Sequence, residues 1–216
     1  MKVDIVQKVL KANDEIAKLV KDKLKSYKMF CINMISAPGS GKTTLIERIF
    51  QEDAEDMRIG VIEGDPETTR DAERISKYNV PVVQINTAGG CHLEAHLVLQ
   101  ALDKLPLGEI DLLIIENVGN LVCPVGFDLG EDARVAVVSV SEGHDKPFKY
   151  PKLFTTANLV ILNKIDLLPY VDFDVEEFRK GVLGINPNVN IIHTSCRTKE
   201  GIDKWVNWLR EQVKNG

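Results

Sequence analysis

Residues 36–44 restrict the possible folds of this chain more than any other part of its sequence. They are Ser-Ala-Pro-Gly-Ser-Gly-Lys-Thr-Thr, and they lie between the apolar run Phe30–Ser36 and an amphipathic segment at 43–51. A strand, a glycine-rich turn ending in Gly-Lys-Thr and a helix, in this order, form the P-loop that binds nucleotide phosphates. The glycines allow backbone N–H groups to surround a phosphate, and the helix N-terminus adds its dipole. The motif therefore predicts an α/β fold with a nucleotide site.

Each side chain of this loop has an expected partner in a bound nucleotide. Lys42 is expected to contact the β- and γ-phosphates, Thr43 to ligate magnesium and Thr44 to contact the α-phosphate. The residues predicted to bind the phosphates are Gly39, Ser40, Gly41, Lys42, Thr43 and Thr44. Ser36 stands where the usual GxxxxGK[ST] pattern has its first glycine, but the rest of the pattern is intact. The alternative, a glycine-rich turn without a ligand, is disfavoured by the complete spacing.

The remainder of the chain alternates apolar runs with amphipathic segments. The predicted strands are Phe30–Ser36, Ile59–Glu63, Val82–Ile85, Asp111–Asn117, Ala133–Val140, Leu159–Asn163 and Asn190–His193. The predicted helices cover residues 3–25, 43–51, 69–77, 92–103, 176–183 and 202–213. Several strands are apolar at nearly every position, which is typical of a parallel sheet covered on both faces. The pattern predicts a three-layer α/β sandwich with a mostly parallel central sheet.

Composition limits the size and setting of the protein. A chain of 216 residues is long enough for one domain, and we expect residues 1–216 to form it, with an N-terminal helix over 1–27 packed on or beside it. The net charge of −5 argues against a nucleic-acid surface. No apolar run is long enough to span a membrane. Four cysteines do not suggest a disulfide framework, so a reduced, cytoplasmic protein is expected.

A second motif predicts which base the nucleotide carries. The run Leu159–Asn163 continues into Lys164, Ile165 and Asp166, giving Asn-Lys-x-Asp at a strand end. In GTPases the aspartate of this motif accepts hydrogen bonds from two guanine N–H groups, which adenine does not offer together. The asparagine ties the loop to the P-loop, and the lysine stem covers the base. Ser195 and Cys196 follow the last strand, where GTPases place a backbone group that meets the guanine O6. The alternative is a solvated turn at a strand end.

Two carboxylates end strands close to the predicted P-loop. Asp65 is predicted to contact magnesium from the first switch, and Glu116 is predicted to be the Walker B carboxylate. The N–H group of Gly119 is expected to contact the γ-phosphate. Asn120 follows Gly119 where a water-positioning glutamine is common, and no arginine finger is evident, so slow hydrolysis is expected. The alternative is that these acidic residues only face solvent.

Cysteines and histidines form a third group of candidate functional residues. Cys91 is expected at a helix N-terminus, which favours its thiolate. His92 and His96 are four positions apart and are expected on one face of that helix. Cys123 follows the Walker B strand, so it is expected at the same edge of the sheet. Two thiolates and two imidazoles suit Zn²⁺ or Ni²⁺, whereas the alternative is a buried cysteine beside ordinary polar helix residues.

Taken together, the motifs resemble those of the HypB family of GTPases, which assist nickel insertion during [NiFe]-hydrogenase maturation. The resemblance covers nearly the whole chain and rests on SAPGSGKTT, IEGDPETTRDAERI, TAGGCHLEAH, ENVGNLVCP, EGHDKPFKYP and NKID. It implies a SIMIBI-type P-loop fold, GTP and Mg²⁺ as ligands, and a metal site at a homodimer interface formed by Cys91, His92 and Cys123. It also implies hydrogenase maturation factors and the hydrogenase large subunit as partners.

Three other functions are compatible with parts of this sequence. A urease-type nickel GTPase is the nearest, but its metal motif is Cys-Pro-His, whereas here Cys91 and His92 are adjacent and Cys123 lies in a separate loop. A small-molecule P-loop kinase and a non-catalytic nucleotide-dependent scaffold are the other two. The mechanism that the resemblance implies is a switch. GTP orders the loops at Asp65 and Glu116, and hydrolysis then alters the affinity for the metal or the association of the two subunits.

Overall fold

The computed structural model describes residues 5–52, 56–65 and 70–215. Its centre is a seven-stranded sheet in which every pairing is parallel, with the order β3-β2-β4-β1-β5-β6-β7. The strands are β1 Phe30–Ser36, β2 Ile59–Asp65, β3 Val82–Asn86, β4 Leu112–Glu116, β5 Ala133–Ser139, β6 Leu159–Asn163 and β7 Asn190–His193. The predicted strands are confirmed, with small differences at their ends, and the predicted fold class is confirmed.

Burial explains why these runs form strands of one sheet. All five residues of β4 and of β6 are buried, because helices cover both faces of the sheet. β1 lies at the centre, with β4 on one side and β5 on the other. The pairing of Met34 with Glu116 brings the end of β4 beside the start of the P-loop. The carboxyl ends of the central strands therefore form one edge, at which the predicted site residues lie.

Eight α-helices surround the sheet in the described part of the chain. They are α1 Ile5–Ser26, α2 Lys42–Gln51, α3 Arg70–Ser76, α4 Ala95–Leu102, α5 Lys146–Lys149, α6 Pro151–Thr156, α7 Val175–Ile185 and α8 Ile202–Asn215. One apolar cluster joins α2, α3 and α8 to one face of the sheet. Two further clusters join α1 and α4, and α6 and α7, to the other face. No helix in these ranges is both long and apolar enough to cross a membrane.

Helix predictions were less accurate than strand predictions in two places. The short helices α5 and α6 were not predicted. Each has only one or two turns, which is too short to show helical spacing of apolar residues, and each has a proline at its first or second position. α4 was predicted from residue 92 but begins at Ala95. Leu93 is fully buried in the core, and Glu94 has extended backbone angles (φ −118°, ψ 154°). The backbone N–H groups of Leu93 and Ala95 donate to the side chains of Asn117 and Asn13, so the helix begins only at Ala95.

Candidate nucleotide and metal sites

The P-loop has the conformation that phosphate binding requires. Gly39 and Gly41 adopt positive φ angles of 75° and 103°, which side chains other than glycine rarely adopt. Lys42 is almost completely buried at the start of α2, and its Nζ donates a hydrogen bond to Ser36 Oγ at 3.0 Å. The same Nζ lies 3.7 Å from Glu116 Oε1. The lysine is thus already aimed into the cavity enclosed by the loop and the strand ends.

Thr43 and two buried carboxylates line the floor of this cavity. Thr43 Oγ1 donates a hydrogen bond to Glu116 Oε1 at 2.9 Å. Glu116 Oε2 and Glu63 Oε1 are buried and accept no hydrogen bond from the residues that the structure describes. Burial, followed by the charge of Glu116, raises the pKa of Glu63 well above its usual range. Burial also raises the pKa of Glu116, against the opposing charge of Lys42.

These unpartnered oxygens test whether a magnesium ion fits the site. Two buried carboxyl oxygens beside a threonine hydroxyl match the hard oxygen ligands that Mg²⁺ prefers. Asp65 ends β2 and lines the same cavity, as do Gly119 and Arg74. Thr43, Glu116 and Asp65 therefore lie together, as the sequence suggested, and Glu63 joins them. The donor set fits the ion.

A second cavity adjoins the first and contains the Asn-Lys-x-Asp loop. Asn163 Nδ2 donates to the Ser40 carbonyl oxygen at 2.8 Å, and Lys164 Nζ donates to the Gly39 carbonyl oxygen at 2.6 Å. A Cβ atom at Gly41 would lie 2.5 Å from Asn163 Nδ2, so a glycine is needed at this contact. The base loop is thereby fixed directly to the phosphate loop.

Asp166 lines this second cavity. Ser195 Oγ donates to Asp166 Oδ1 at 2.6 Å, and Arg197 Nη1 lies 3.9 Å from Asp166 Oδ2. Cys196 lies behind it with Sγ 3.7 Å from Asn163 Oδ1, and burial raises the pKa of its thiol to about 11. Cys196 is consequently a neutral wall of the cavity. Ser195 holds one oxygen of Asp166 in a fixed direction, which leaves the carboxylate preorganised to accept hydrogen bonds.

Cys91, His92 and Cys123 come together at the same edge of the sheet. Their ligand atoms all lie within 4.8 Å of one another, and Cys91 Sγ lies 3.4 Å from His92 Nδ1. The His92 ring packs against Phe127 with ring centroids 4.0 Å apart. Burial lowers the pKa of His92, so the ring is neutral at pH 7 and free to bind a metal. A hydrogen bond between the two cysteine sulfurs raises the pKa of the Cys123 thiol.

His96 does not join this cluster within one chain. Its Nδ1 lies 3.4 Å from Glu94 Oε2, and its side chain is 46% exposed. The prediction that His92 and His96 share a helical face was wrong, because α4 begins only at Ala95 and His92 precedes it. The prediction that Cys91 lies at a helix N-terminus was wrong for the same reason. Cys91 therefore lies four residues before the start of α4 rather than at its N-terminus.

Comparison with known proteins assigns the chain to a family. The CobW/HypB/UreG nucleotide-binding domain matches residues 30–193. The hydrogenase maturation factor HypB of Escherichia coli K12 is 47% identical over 204 residues, which are 94% of this chain and 70% of that protein. This chain belongs to the HypB family.

Two solved structures of HypB proteins resemble the chain along most of its length. HypB from Archaeoglobus fulgidus gives a TM-score of 0.88 at 39% identity, covering 94% of this chain and 100% of that one. HypB from Helicobacter pylori, solved in complex with nickel, gives 0.90 at 36% identity, covering 94% and 96%. The resemblance noted from the motifs is thus confirmed over the whole fold.

Two residues of this HypB-family chain were not identified from the sequence as part of the site. Glu63 lies within the buried strand β2. A carboxylate in a largely apolar strand was the sequence signal that could have identified it as a site residue. Arg74 lies on α3 at the wall of the phosphate cavity, where Nη2 donates to Thr44 Oγ1 at 3.1 Å. Its ion pairs with Glu47 and Asp71 hold it there. No sequence motif marks Arg74, because only the packing of α3 against α2 brings it to the P-loop.

Proposed function

We propose that this HypB-family protein is a GTP-hydrolysing metallochaperone that assists nickel insertion into [NiFe]-hydrogenase in the cytoplasm. The observation that supports this most directly is the position of the Cys91, His92 and Cys123 cluster. It lies on loops that leave the same edge of the sheet as the nucleotide cavity. Family membership supports the hydrogenase target, with hydrogenase maturation factors and the hydrogenase large subunit as partners.

Guanine selection is proposed to depend on Asp166. Its carboxylate is held by Ser195 and faces the cavity beside the P-loop, where it would accept hydrogen bonds from guanine N1–H and N2–H₂. Lys164 extends across the loop to the Gly39 carbonyl, so its stem would cover one face of the base. The backbone at Ser195 and Cys196 would meet the guanine O6.

Hydrolysis is proposed to depend on charge placed around the γ-phosphate. Lys42 lies where it would neutralise the negative charge that develops during phosphoryl transfer. Mg²⁺, when bound through Thr43, Asp65 and Glu116, would supply further charge neutralisation. The backbone N–H of Gly119 would contact the γ-phosphate. Because Asn120 replaces a water-positioning glutamine, intrinsic turnover should be well below the roughly 1–100 s⁻¹ of kinases.

Nickel is proposed to bind as cargo at the cysteine–histidine cluster. Two sulfurs and one neutral imidazole are ligands that suit Ni²⁺ and also Zn²⁺. Cys123 is only four positions after Gly119, so contact of Gly119 with a γ-phosphate would act on the metal loop through a short covalent connection. Loss of that phosphate on hydrolysis would then change metal affinity, which is the step that releases the cargo.

The test is a pair of variants that separate the two activities. Lys42→Ala should abolish phosphate release in steady-state assays and leave nickel binding in calorimetry unchanged. Cys123→Ala should abolish nickel binding and leave the affinity for a GTP analogue unchanged. Equal affinities of the parent protein for GTP and ATP, or fast turnover by the purified protein alone, would contradict the proposal. Nickel binding that survives Cys123→Ala would show that the cargo site lies elsewhere.

A further inference from the structure

A buried asparagine lies between the nucleotide cavity and the metal cluster. Asn117 follows Glu116 at the end of β4, and the residue is buried, with 1% of its surface exposed. Its Oδ1 accepts a hydrogen bond from the backbone N–H of Leu93 at 3.1 Å. The same oxygen accepts from the backbone N–H of Val118 at 3.0 Å. One side-chain atom is therefore bonded to two loops that belong to different sites.

The Leu93 bond reaches the metal cluster through a single peptide. Leu93 directly follows Cys91 and His92, and it is buried against the strand below, where a Cβ atom at Gly64 would meet it at 2.8 Å. The side chain thus fixes Leu93 in the core, and the Asn117 amide fixes its backbone. The position of the Leu93 backbone sets the direction of the chain at Cys91 and His92. It therefore positions these two candidate metal ligands.

The Val118 bond reaches the nucleotide cavity. Val118 lies between Asn117 and Gly119, and a Cβ atom at Gly119 would lie 2.9 Å from the Pro38 Cα of the P-loop. Any ligand that moves the backbone at 118–119 must therefore change the bond from Val118 to Asn117 Oδ1. Leu93 donates to the same oxygen, so both hydrogen bonds depend on one orientation of the Asn117 amide. A change in the Val118 bond therefore also affects the Leu93 bond.

A chain of buried groups prevents the amide from turning freely. Asn117 Nδ2 donates to Asn33 Oδ1 at 3.2 Å, and Asn33 Nδ2 donates to Glu131 Oε1 at 3.2 Å. Arg134 Nε in turn donates to that glutamate oxygen at 2.6 Å. With its amide nitrogen held from below, Asn117 keeps its oxygen toward Leu93 and Val118.

We infer that Asn117 is a positioning residue that transmits the state of the nucleotide site to the metal site through Leu93. The inference rests on the proposed function, since it assumes that the chain binds both a guanine nucleotide and a metal. The loop that holds Cys91 and His92 thus gives a second route between the two sites. The first route is the covalent connection from Gly119 to Cys123. Removing the amide should therefore weaken coupling between the sites even where both ligands still bind.

Asn13 of α1 provides a matched control on the same segment. Its Oδ1 accepts from the backbone N–H of Ala95 at 2.9 Å, and its Nδ2 donates to the Asp128 carbonyl oxygen at 2.7 Å. Asn13 is also buried, and it supports the chain two positions after Leu93 without touching the nucleotide cavity. Asn13→Ala thus removes a buried amide from the metal loop but leaves the connection to residues 117–119 in place.

The experiment measures nickel affinity by calorimetry at saturating GDP and at saturating non-hydrolysable GTP analogue. The parent should show a ratio of affinities in the range of about 5–150 that is typical of allosteric coupling. Asn117→Ala should bring this ratio closer to 1 than that of the parent, with the remaining coupling carried by the covalent connection from Gly119 to Cys123. Asn13→Ala should change nickel affinity by the same factor with both nucleotides and therefore keep the parent's ratio.

Each outcome of this experiment decides one question. A parental ratio in Asn117→Ala overturns the inference and leaves the proposed function standing. A ratio of about 1 in the parent itself overturns the coupling in the proposed function and the inference with it. If Asn117→Ala does not fold, amide hydrogen exchange at Leu93 in the parent replaces it. Different protection of this amide with GDP and with the GTP analogue supports the inference, and identical protection overturns it.

Discussion

At the scale of single residues, Ser36 shows why one departure from the P-loop pattern is tolerated. The loop needs positive φ angles at Gly39 and Gly41, whereas Ser36 is the last residue of β1. A side chain at this position causes no backbone strain, and its hydroxyl accepts a hydrogen bond from Lys42. The serine therefore holds the lysine in place before a nucleotide arrives, which a glycine would not do.

Asp166→Asn should reverse part of the base preference. The carboxylate accepts two hydrogen bonds in the proposed complex, and an amide would present a donor where guanine also has a donor. We expect GTP affinity to fall by roughly 10–150-fold, the equivalent of ~1.5–3 kcal/mol for charged hydrogen bonds. Xanthosine triphosphate, which has a carbonyl in place of the guanine amine, should bind better than GTP. Fluorescent nucleotide titrations measure both, with exposed Asp172→Asn as the control.

Glu63→Gln should stabilise the nucleotide-free protein at neutral pH. The pKa of Glu63 is raised in the folded state, so the carboxyl favours folding when protonated and this stabilisation is lost as pH rises through the folded-state pKa. Glutamine is neutral at all pH values and keeps the shape of the protonated acid. The two proteins should melt alike at about pH 4, where glutamate begins to ionise in the unfolded chain, and diverge in favour of the variant towards pH 7.

Thermal unfolding followed by circular dichroism at several pH values measures this difference. Each ~1 kcal/mol should shift the melting temperature by about 2–4 °C in a chain of this size. Glu211→Gln, which removes an exposed carboxylate on α8, is the control and should change stability by less than about 0.5 kcal/mol. A melting difference between Glu63→Gln and the parent that stays constant from acid to neutral pH would refute the assigned pKa direction.

At the scale of elements, α1 supports the candidate metal site because it packs against α4, the helix that follows Cys91 and His92. It lies beside α4 in the apolar cluster that includes Val20, Leu24 and Val98. Its buried Asn13 bonds both to the start of α4 and to the loop that follows Cys123. The N-terminal helix thus supports both loops that hold metal ligands, although it contributes no ligand itself.

Gly130→Ala should displace α1 from the rest of the protein. Gly130 has φ 83°, and a Cβ atom there would lie 2.6 Å from the Ala17 carbonyl oxygen of α1. Backbone strain and overpacking of about 1–3 kcal/mol each should lower the free energy of unfolding by roughly 2–6 kcal/mol. Urea denaturation measures this loss. Gly108→Ala, which meets no atom within 4 Å, should change stability by less than about 0.5 kcal/mol.

If Gly130→Ala unfolds no more readily than Gly108→Ala, the close contact between α1 and this turn is wrong. If it destabilises the chain and also weakens nickel binding, the support of the metal loops by α1 is strengthened. A loss of GTP affinity is not expected, because Gly130 does not line the nucleotide cavities.

At the scale of the whole molecule, one edge of the sheet presents a candidate metal site with three potential ligands. Cys91, His92 and Cys123 supply three ligands, whereas a closed tetrahedral site needs four. Water, His96 or a second chain would complete the coordination. A two-fold axis passing near the cluster would place the same three side chains of each subunit around one interface.

We therefore predict that Ni²⁺ or Zn²⁺ promotes a symmetric homodimer and that a GTP analogue strengthens it. The coupling must be reciprocal, so metal should tighten GTP binding by the factor by which GTP tightens metal binding. Light scattering with titrated metal follows the dimer, and Mg²⁺ alone serves as the control ion. Cys91→Ala should stay monomeric with Ni²⁺ while still binding the GTP analogue. A dimer of Cys91→Ala that forms as readily as that of the parent rules out the interfacial site.

Much of the fold could be predicted because its signals are local. The buried strands are uninterrupted apolar runs, as in Leu159–Asn163, and the P-loop fixes the junction between β1 and α2. The residues of both motifs lie together because parallel strands end at one edge of a sheet. The start of α4 could not be predicted, since helical spacing of His92 and His96 gave no sign that Leu93 is held in the core.

The sequence by itself determined the chemistry available to this protein: the phosphate loop and the base-reading loop are continuous motifs, and the cysteines and histidines are residue types that bind metals. Tertiary structure decided which of these groups meet. It joined Cys91 and His92 to Cys123, left His96 outside, and buried Glu63 beside Glu116. It also placed the Asn117 amide between two loops. These contacts join residues far apart in the chain, so they depend on packing of the sheet and its helices rather than on any local pattern.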